Sequence, residues 1–282
     1  GIFQTRNYES WRPSYGRVKT SLVYAEQRFG DTIQFVRYLP LLVGRGARIV
    51  FECQAPLVRL FRASPIFEGV SIVTRGVDPM LTYDAQVALL SLPHLTGGNL
   101  PADTPYLVPP AERPRVANRP RGLHVGLVWA GKPSHRNDRN RSLALSDLAP
   151  LLELPDVHFY SLQLGDLAET IATAGFSALV TDLRPLITDF ADSATLLGSL
   201  DLLITADTAP AHLAGALCQP VWTLLPFLPD WRWRTKRTDT AWYATMKLFR
   251  QSQPRRWDDV VVRLREALEA RITEAARTTR FA

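Results

Sequence analysis

The segment LLITADTAPAHLAGAL, residues 202–217, is the clearest indication of the fold, because it joins an apolar strand directly to a helix. The strand leads into Asp207 and Thr208, and Pro210 falls in the first helical turn, where proline is tolerated. In open parallel sheets ligands bind at such junctions, where the free N–H groups of a helix attract anions. The segment therefore predicts a parallel α/β sheet with an anion site. A plain helix N-cap followed by a half-buried His212 would explain the same residues.

Short apolar runs alternate with amphipathic stretches on both sides of this segment. The runs are nearly continuous, which is typical of strands buried on both faces of a parallel sheet. They lie at 21–25, 48–53, 70–74, 84–90, 123–130, 157–163, 177–181, 200–205 and 220–225. Between the two sets, 6 of the 22 residues of 101–122 are proline, which favours an extended linker. The sequence predicts two doubly wound α/β domains that face each other across a cleft.

The predicted organisation has four regions. Residues 1–105 form an N-terminal Rossmann-like domain, 106–122 the proline-rich linker, and 123–255 a C-terminal Rossmann-like domain. Residues 256–282 form a final helix, which begins with two aspartates and carries apolar residues at helical spacing.

Composition and charge limit the classes of function. The 282 residues are 46% apolar and 21% charged, which is the balance of a soluble globular protein. No window approaches the roughly 18 uninterrupted apolar residues of a membrane helix, and the first residues show no apolar signal region. We expect a cytoplasmic protein without stable membrane insertion. The net charge of +6 favours anionic ligands but is weak support for nucleic acid, and two cysteines provide neither a disulfide framework nor a zinc site.

A second strand–helix junction lies in YAEQRFGDTIQFVRYLP, residues 24–40. Gly30 allows close approach of a ligand or a positive φ. Asp31 would present a carboxylate at the cleft, where a general base could accept a hydroxyl proton. Helix capping by Asp31 is the alternative.

The third junction, VWAGKPSHRNDRNRSLAL at 128–145, is strongly basic. Lys132, Arg139 and Arg141 follow a strand, and their charged groups suit phosphate. A solvated basic loop is the alternative. His135 has no neighbour at metal-ligand spacing.

The fourth junction, FYSLQLGDLAETIA at 159–172, places Gln163 and Asp166 after a strand. An acidic side chain here could accept bonds from ribose hydroxyls, although the signal is weak in isolation. Motifs for dinucleotide binding, P-loops, α/β-hydrolases and zinc proteases are absent from the sequence. The stretch PDWRWRTKR at 229–237 fits either nucleic-acid binding or interdomain packing.

Together the four junctions resemble the family 9 glycosyltransferases, which include the lipopolysaccharide heptosyltransferases. They are more similar still to bacterial glycosyltransferase-like proteins that usually follow tetratricopeptide repeats, and this chain resembles the catalytic module alone. The shared motifs are EQxxGDTIQFxRYLPLL at 26–42, GLVWAGxPxHxNDRxRSL at 126–143, YSLQ at 160–163, DTAxAHLAGALxxPVWxLLPxxPDWRW at 207–233 and WYxxMxLFRQ at 242–251.

The resemblance implies a GT-B fold, in which the last helix often returns to the N-terminal domain. It implies that Asp31 is the catalytic base and that the N-terminal domain supplies the acceptor-side residues Glu26, Gln27, Arg28 and Gly30. The donor-binding residues it implies are Lys132, Arg139, Arg141, Gln163, Asp166, Asp207, Thr208, Ala209 and His212. Arg28 stands where these relatives commonly have glycine, and Lys132 where asparagine is expected.

The function this implies is a metal-independent, inverting glycosyltransferase that needs no cofactor. It would move a sugar from a nucleotide-diphosphate-sugar donor to a hydroxyl acceptor on a protein, glycan or lipid. The main alternative is a non-catalytic module that binds a nucleotide-sugar or scaffolds a partner. Nucleotide-sugar epimerases share a two-domain shape, but the chain lacks their expected paired acids. Nucleic-acid binding ranks last.

Overall fold

The computed structural model describes residues 20–26, 28–77, 82–101, 105–111, 116 and 119–280. Strands lie at Thr20–Tyr24 (β1), Arg48–Cys53 (β2), Val70–Thr74 (β3), Ala85–Ala88 (β4), Leu123–Val128 (β5), Val157–Ser161 (β6), Val180–Asp182 (β7), Leu202–Ala206 (β8), Val221–Leu225 (β9) and Met246–Arg250 (β10). Helices lie at Phe29–Phe35 (α1), Leu39–Val43 (α2), Ala55–Ala63 (α3), Leu92–Leu95 (α4), Asp138–Arg141 (α5), Ala149–Leu152 (α6), Thr170–Thr173 (α7), Phe190–Leu197 (α8), Ala209–Ala216 (α9) and Asp258–Arg280 (α10). Short 3-10 helices occupy Val36–Tyr38, Pro65–Phe67, Leu89–Ser91, Leu145–Leu148, Asp166–Glu169, Arg184–Leu186 and Trp231–Trp233.

The strands form two parallel sheets, which confirms the predicted α/β class with two Rossmann-like halves. The first sheet has the order β3-β2-β1-β4 and the second the order β10-β9-β8-β5-β6-β7. The strand order reverses between β1 and β4 and again between β5 and β8. Such reversals open a crevice at the carboxyl ends of the strands, where ligands of this architecture bind.

The central strands of the second sheet explain why periodicity revealed the fold. Every residue of β5, β8 and β9 is buried, so these strands read as unbroken apolar runs. Strand β10 lies at the edge of the sheet, where Lys247 is exposed, and the apolar runs of the sequence did not predict it. Residues 31–43 contain two helices and a 3-10 turn, because Pro40 has no N–H to continue an α-helical ladder.

The two halves share one hydrophobic core. Buried residues from both sheets belong to a single cluster, which includes Phe35 and Leu39 from the first half and Leu213 and Leu217 from the second. Helices α1 and α9 are packed against each other across the boundary. Burial of apolar surface therefore holds the halves together.

The start of the predicted linker contributes to this boundary. Tyr106 and Leu107 are buried, and their N–H groups donate to the carbonyl of Ala216 at 3.1 and 3.3 Å. The Tyr106 hydroxyl donates to the Ile33 carbonyl at 3.0 Å. Residues 105–107 thus join α1 to α9 rather than crossing open solvent.

The final helix packs differently from the expectation for 256–282. Its apolar residues Val260, Leu264 and Leu268 pack with Trp257 against the second sheet, and Arg271 donates to the Asp201 carbonyl at 2.9 Å. The helix therefore covers the half that precedes it instead of returning to the first. Across the described part of the chain, no helix combines the length and apolarity that a membrane crossing requires.

Gly215 in α9 allows the ring of Tyr243 to approach the helix. A Cβ atom there would lie 2.4 Å from Cδ1 of that ring. We expect Gly215→Ala to lower the free energy of unfolding by about 1–3 kcal/mol, because the ring would have to move out of a packed core. Urea unfolding measures this change. Gly198→Ala is the matched control, since its Cβ would meet its nearest atom at 3.4 Å. Equal effects of the two substitutions would contradict the packing argument.

Candidate functional site

The four junctions singled out in the sequence are linked by direct contacts. Arg141, from the basic loop after β5, donates through Nη1 to the carbonyl of Asp207 at 2.7 Å. Gln163, after β6, accepts through Oε1 from the backbone N–H of Ala130 at 3.0 Å. Gly30, after β1, touches the ring of His212 on α9. The structure thus brings the junctions to one place between the two halves.

The junction before α9 offers backbone donors at the helix N-terminus. Thr208 is the N-cap residue, but its hydroxyl does not cap the helix. Instead it donates to the Ala206 carbonyl at 3.2 Å and contacts Thr205 Oγ1 at 3.3 Å. Ala209 begins the helix and Pro210 follows, as predicted. With no side-chain cap, this N-terminus can receive an anion from outside the chain.

The Asp207 carboxyl lies beside this helix end. Burial raises its pKa to about 6, and contacts with the Trp233 indole and with Arg141 only partly oppose the rise. A carboxyl in this state is destabilising when ionised at neutral pH. A carboxyl that lowers the stability of the fold when it ionises is consistent with a functional role rather than a stabilising one.

His212 is more deeply placed than the sequence suggested. Its ring is 6% exposed, stacks on Trp233 at 5.5 Å between centroids, and shares a 3.0 Å hydrogen bond between Nδ1 and the Tyr243 hydroxyl. Burial, with Arg232 nearby, lowers its pKa to about 3. The ring is therefore neutral near pH 7 in this structure.

Asp31 lies in the first turn of α1, which begins at Phe29 with Arg28 as N-cap residue. Its Oδ1 accepts a 2.6 Å hydrogen bond from Nη2 of Arg232, and its side chain is 20% exposed. Desolvation raises the pKa of Asp31, and the Arg232 guanidinium opposes this rise more than any other charge. Arg28, not Asp31, is the N-cap residue, and among the described contacts no backbone N–H of α1 donates to the Asp31 carboxylate.

The other residues predicted on the acceptor side have different surroundings. The Glu26 carboxylate accepts from the Leu90 N–H at 3.1 Å, so it holds the turn after β4. Arg28 is exposed beside Asp31. Gly30 provides space, because a Cβ there would lie 2.7 Å from Cδ2 of His212. Gln27 lies outside the described residues.

The basic loop presents charges of two kinds. Lys132 and Arg139 are exposed, whereas Arg141 is largely buried and bonded to Asp138 as well as to Asp207. Gly131 makes room for that guanidinium, since a Cβ there would clash with it. The loop therefore has one fixed cation at the α9 junction and two exposed ones, Lys132 and Arg139, available to a ligand.

The β6 junction is less open than predicted. Gln163 is buried, and its amide also donates to the Leu164 carbonyl at 3.1 Å, so both ends of the side chain are used within the protein. Asp166 is exposed at the start of a 3-10 helix. Among the described contacts, no side-chain hydrogen bond ties Asp166 to the other junctions.

Arg232 is the main residue that sequence reasoning missed. It lies after β9 with its side chain 9% exposed. It bonds not only to Asp31 but also through Nε to Gln34 Oε1 at 2.6 Å and through Nη1 to Asp230 Oδ1 at 2.9 Å. The signal was the stretch 229–237, whose interdomain-packing interpretation the structure supports. Its position after a buried strand at the ligand edge could have added it to the site.

The site can perform two kinds of chemistry. A partly exposed carboxylate on α1 can accept a proton. Opposite it, an uncapped helix end with Arg141, and Lys132 and Arg139 on the same loop, can stabilise phosphate charge. No group of three or more His, Cys, Asp or Glu side chains that could hold a metal ion occurs in the described ranges.

Comparison with known proteins identifies relatives of this fold. No family model matches the sequence. Protein FlbA of Caulobacter vibrioides is 26% identical over 295 aligned positions, which cover 92% of this chain and 48% of FlbA. The chain thus spans about half the length of that curated relative.

Solved structures resemble this chain over most of its length. The ADP-heptose lipopolysaccharide heptosyltransferase II of E. coli superposes with a TM-score of 0.59 at 13% identity, covering 91% of this chain and 99% of its own. The dodecameric, iron-containing heptosyltransferase TibC of enterotoxigenic E. coli, in complex with ADP-D-β-D-heptose, gives 0.57 at 13% identity, covering 86% and 66%. At these identities the likeness establishes a heptosyltransferase-like fold, as the resemblance implied.

The raised pKa of Asp207 predicts a pH-dependent stability. Since the folded pKa of about 6 exceeds the ordinary value of 3.8, ionisation destabilises the fold increasingly as pH rises through this interval. We expect Asp207→Asn to be more stable than the parent protein by about 1–3 kcal/mol near pH 8 and equally stable below about pH 4. Urea unfolding at both pH values measures the difference. The exposed Glu153→Gln is the control, and a gain for Asp207→Asn that does not depend on pH would contradict the assignment.

Proposed function

We propose that this chain is the catalytic part of a glycosyltransferase that acts without a metal ion and inverts the anomeric configuration. The observation that carries the proposal is that Asp31, the uncapped N-terminus of α9 and the basic loop lie together between the two halves. A proton acceptor from one half thus faces a phosphate-binding arrangement from the other. The heptosyltransferase-like fold supports the same assignment.

The donor would be a nucleotide-diphosphate-sugar. Its diphosphate would lie against the backbone N–H groups at Thr208 and Ala209, with Arg141 fixed beside them and Lys132 and Arg139 closing over it. These cations would offset the negative charge that develops on the leaving group. Gln163 would act indirectly by holding the loop after β5, and Asp166 would be free to reach a ribose hydroxyl.

The acceptor would be a hydroxyl group held on the side of the first half. Asp31 would take the hydroxyl proton while the oxygen's electron pair forms a bond to the anomeric carbon. The bond from that carbon to the diphosphate oxygen would break at the same time, and its electron pair would leave with the nucleoside diphosphate. A single displacement of this kind inverts the anomeric carbon.

The proposal predicts binding of a nucleoside diphosphate in the absence of divalent metal. Calorimetric titration with a panel of nucleoside diphosphates and nucleotide-sugars, in the presence of a chelator, should give micromolar binding of one nucleotide. Lys132→Ala and Arg139→Ala should each weaken it about tenfold, because each removes a charge-assisted hydrogen bond. Arg256→Gln, two residues before α10, is the control. Absence of binding across the panel would contradict the donor site.

Asp31→Asn separates binding from chemistry. The substitution removes the proton acceptor but keeps the size of the side chain, so sugar transfer should fall at least about 100-fold while nucleoside diphosphate affinity changes less than about threefold. Transfer is measured as release of nucleoside diphosphate from the donor that calorimetry selects. Binding without turnover by the parent protein would favour the non-catalytic module, and equal loss of binding and turnover in the variant would contradict the base assignment.

A further inference from the structure

Arg232 is held by more partners than an interdomain packing role requires. Its guanidinium donates to three side chains. Two of them, Gln34 and Asp31, are on α1, and the third, Asp230, lies two residues earlier in the chain. It also lies over the Trp231 ring, with 4.7 Å between Cζ and the ring centroid. The group is therefore fixed in plane and in direction before any ligand arrives.

The fixed guanidinium is bonded to only one oxygen of Asp31. Nη2 donates to Oδ1 at 2.6 Å. Among the residues that the structure describes, none donates a hydrogen bond to Oδ2. The carboxylate is partly exposed, so the second oxygen remains the one that a ligand can reach.

We infer that Arg232 is the positioning residue of Asp31: it holds Oδ1, fixes the orientation of the carboxylate, and leaves Oδ2 to take the acceptor proton. The inference rests on the proposed function for its proton-transfer step, in which the proton moves from the acceptor oxygen to Oδ2. Arg232 itself touches no reacting atom in this scheme. Its effect is exerted through Asp31.

The charges around Asp31 agree with this role. Arg28 at the start of α1 and Asp230 beside Arg232 act on it in opposite directions, while His212 on the packed helix α9 is neutral. Arg232 is the largest of the charge effects and favours the ionised carboxylate against desolvation. Without it, desolvation would raise the pKa of Asp31 further, and the carboxylate would be ionised only at higher pH.

The test compares Arg232→Gln with the parent protein. Arg237→Gln on the same segment is the control, because among the ion pairs of the described residues this exposed arginine pairs only with Asp239. The carboxyl carbon of Asp31 is followed by NMR in protein labelled with ¹³C-aspartate, and its signal is assigned by its loss in Asp31→Asn. We expect the Asp31 titration to move upward by about one pH unit or more in Arg232→Gln and to stay unchanged in the control.

Turnover provides the second readout. The acid limb of the pH profile of kcat/KM should move upward together with the NMR titration, so that Arg232→Gln loses about tenfold on the acid side of both titrations and recovers at higher pH. Nucleoside diphosphate affinity should change little. Arg232→Lys keeps the charge but lacks the planar guanidinium that reaches Gln34 and Asp31 from one fixed position. Its Asp31 titration and its turnover should lie between those of the parent protein and Arg232→Gln, and it serves if the glutamine variant does not fold.

Three outcomes are decisive. An unchanged Asp31 titration in Arg232→Gln overturns the inference. Loss of nucleoside diphosphate affinity without a shift of that titration also overturns it, because Arg232 would then be a phosphate ligand. If the parent protein turns over no donor, the proposed function fails, while the NMR titration still decides whether Arg232 controls the ionisation of Asp31.

Discussion

The close packing of α1 on α9 is the constraint on which the rest of the site depends. Gly30 leaves room for the His212 ring, and Gly215 leaves room for the Tyr243 ring that bonds to it. Because these contacts are within a shared core, small changes in side-chain volume would displace residues on both sides of the boundary. The position of Asp31 relative to the α9 N-terminus is thus set by apolar packing rather than by the polar residues of the site.

Polar contacts reinforce this packing at its edges. Arg59 on α3 forms a forked pair with Asp189, the N-cap of α8, with bonds of 2.9 and 2.8 Å, and also bonds to Asp192. Arg37 donates to the Trp242 carbonyl at 3.0 Å on another side of the boundary. A bidentate arginine fixes direction as well as distance. The two halves are therefore held in one relative orientation from several directions.

Much of the fold could be predicted from the sequence because parallel strands buried on both faces leave unbroken apolar runs. The predicted runs at 48–53 and 70–74 coincide with β2 and β3, whereas β10 was not predicted because Lys247 and Arg250 leave only Leu248 and Phe249 as a continuous apolar pair. The junction residues were found because such loops follow a strand. Arg232 was not, since its role depends on a contact with Asp31, 201 residues earlier. Local patterns carry no information on such pairings.

The pairing of Asp31 with Arg232 also has a meaning for the history of such chains. The proton acceptor on one half forms an ion pair with an arginine on the other half of the same polypeptide. Recombination that exchanged either half with that of a distant homologue would separate the pair and replace one side of the shared core. We therefore expect chimeras divided near residue 120 to lose function unless both parents carry aspartate at position 31 and arginine at position 232, so that the two halves evolve as one unit.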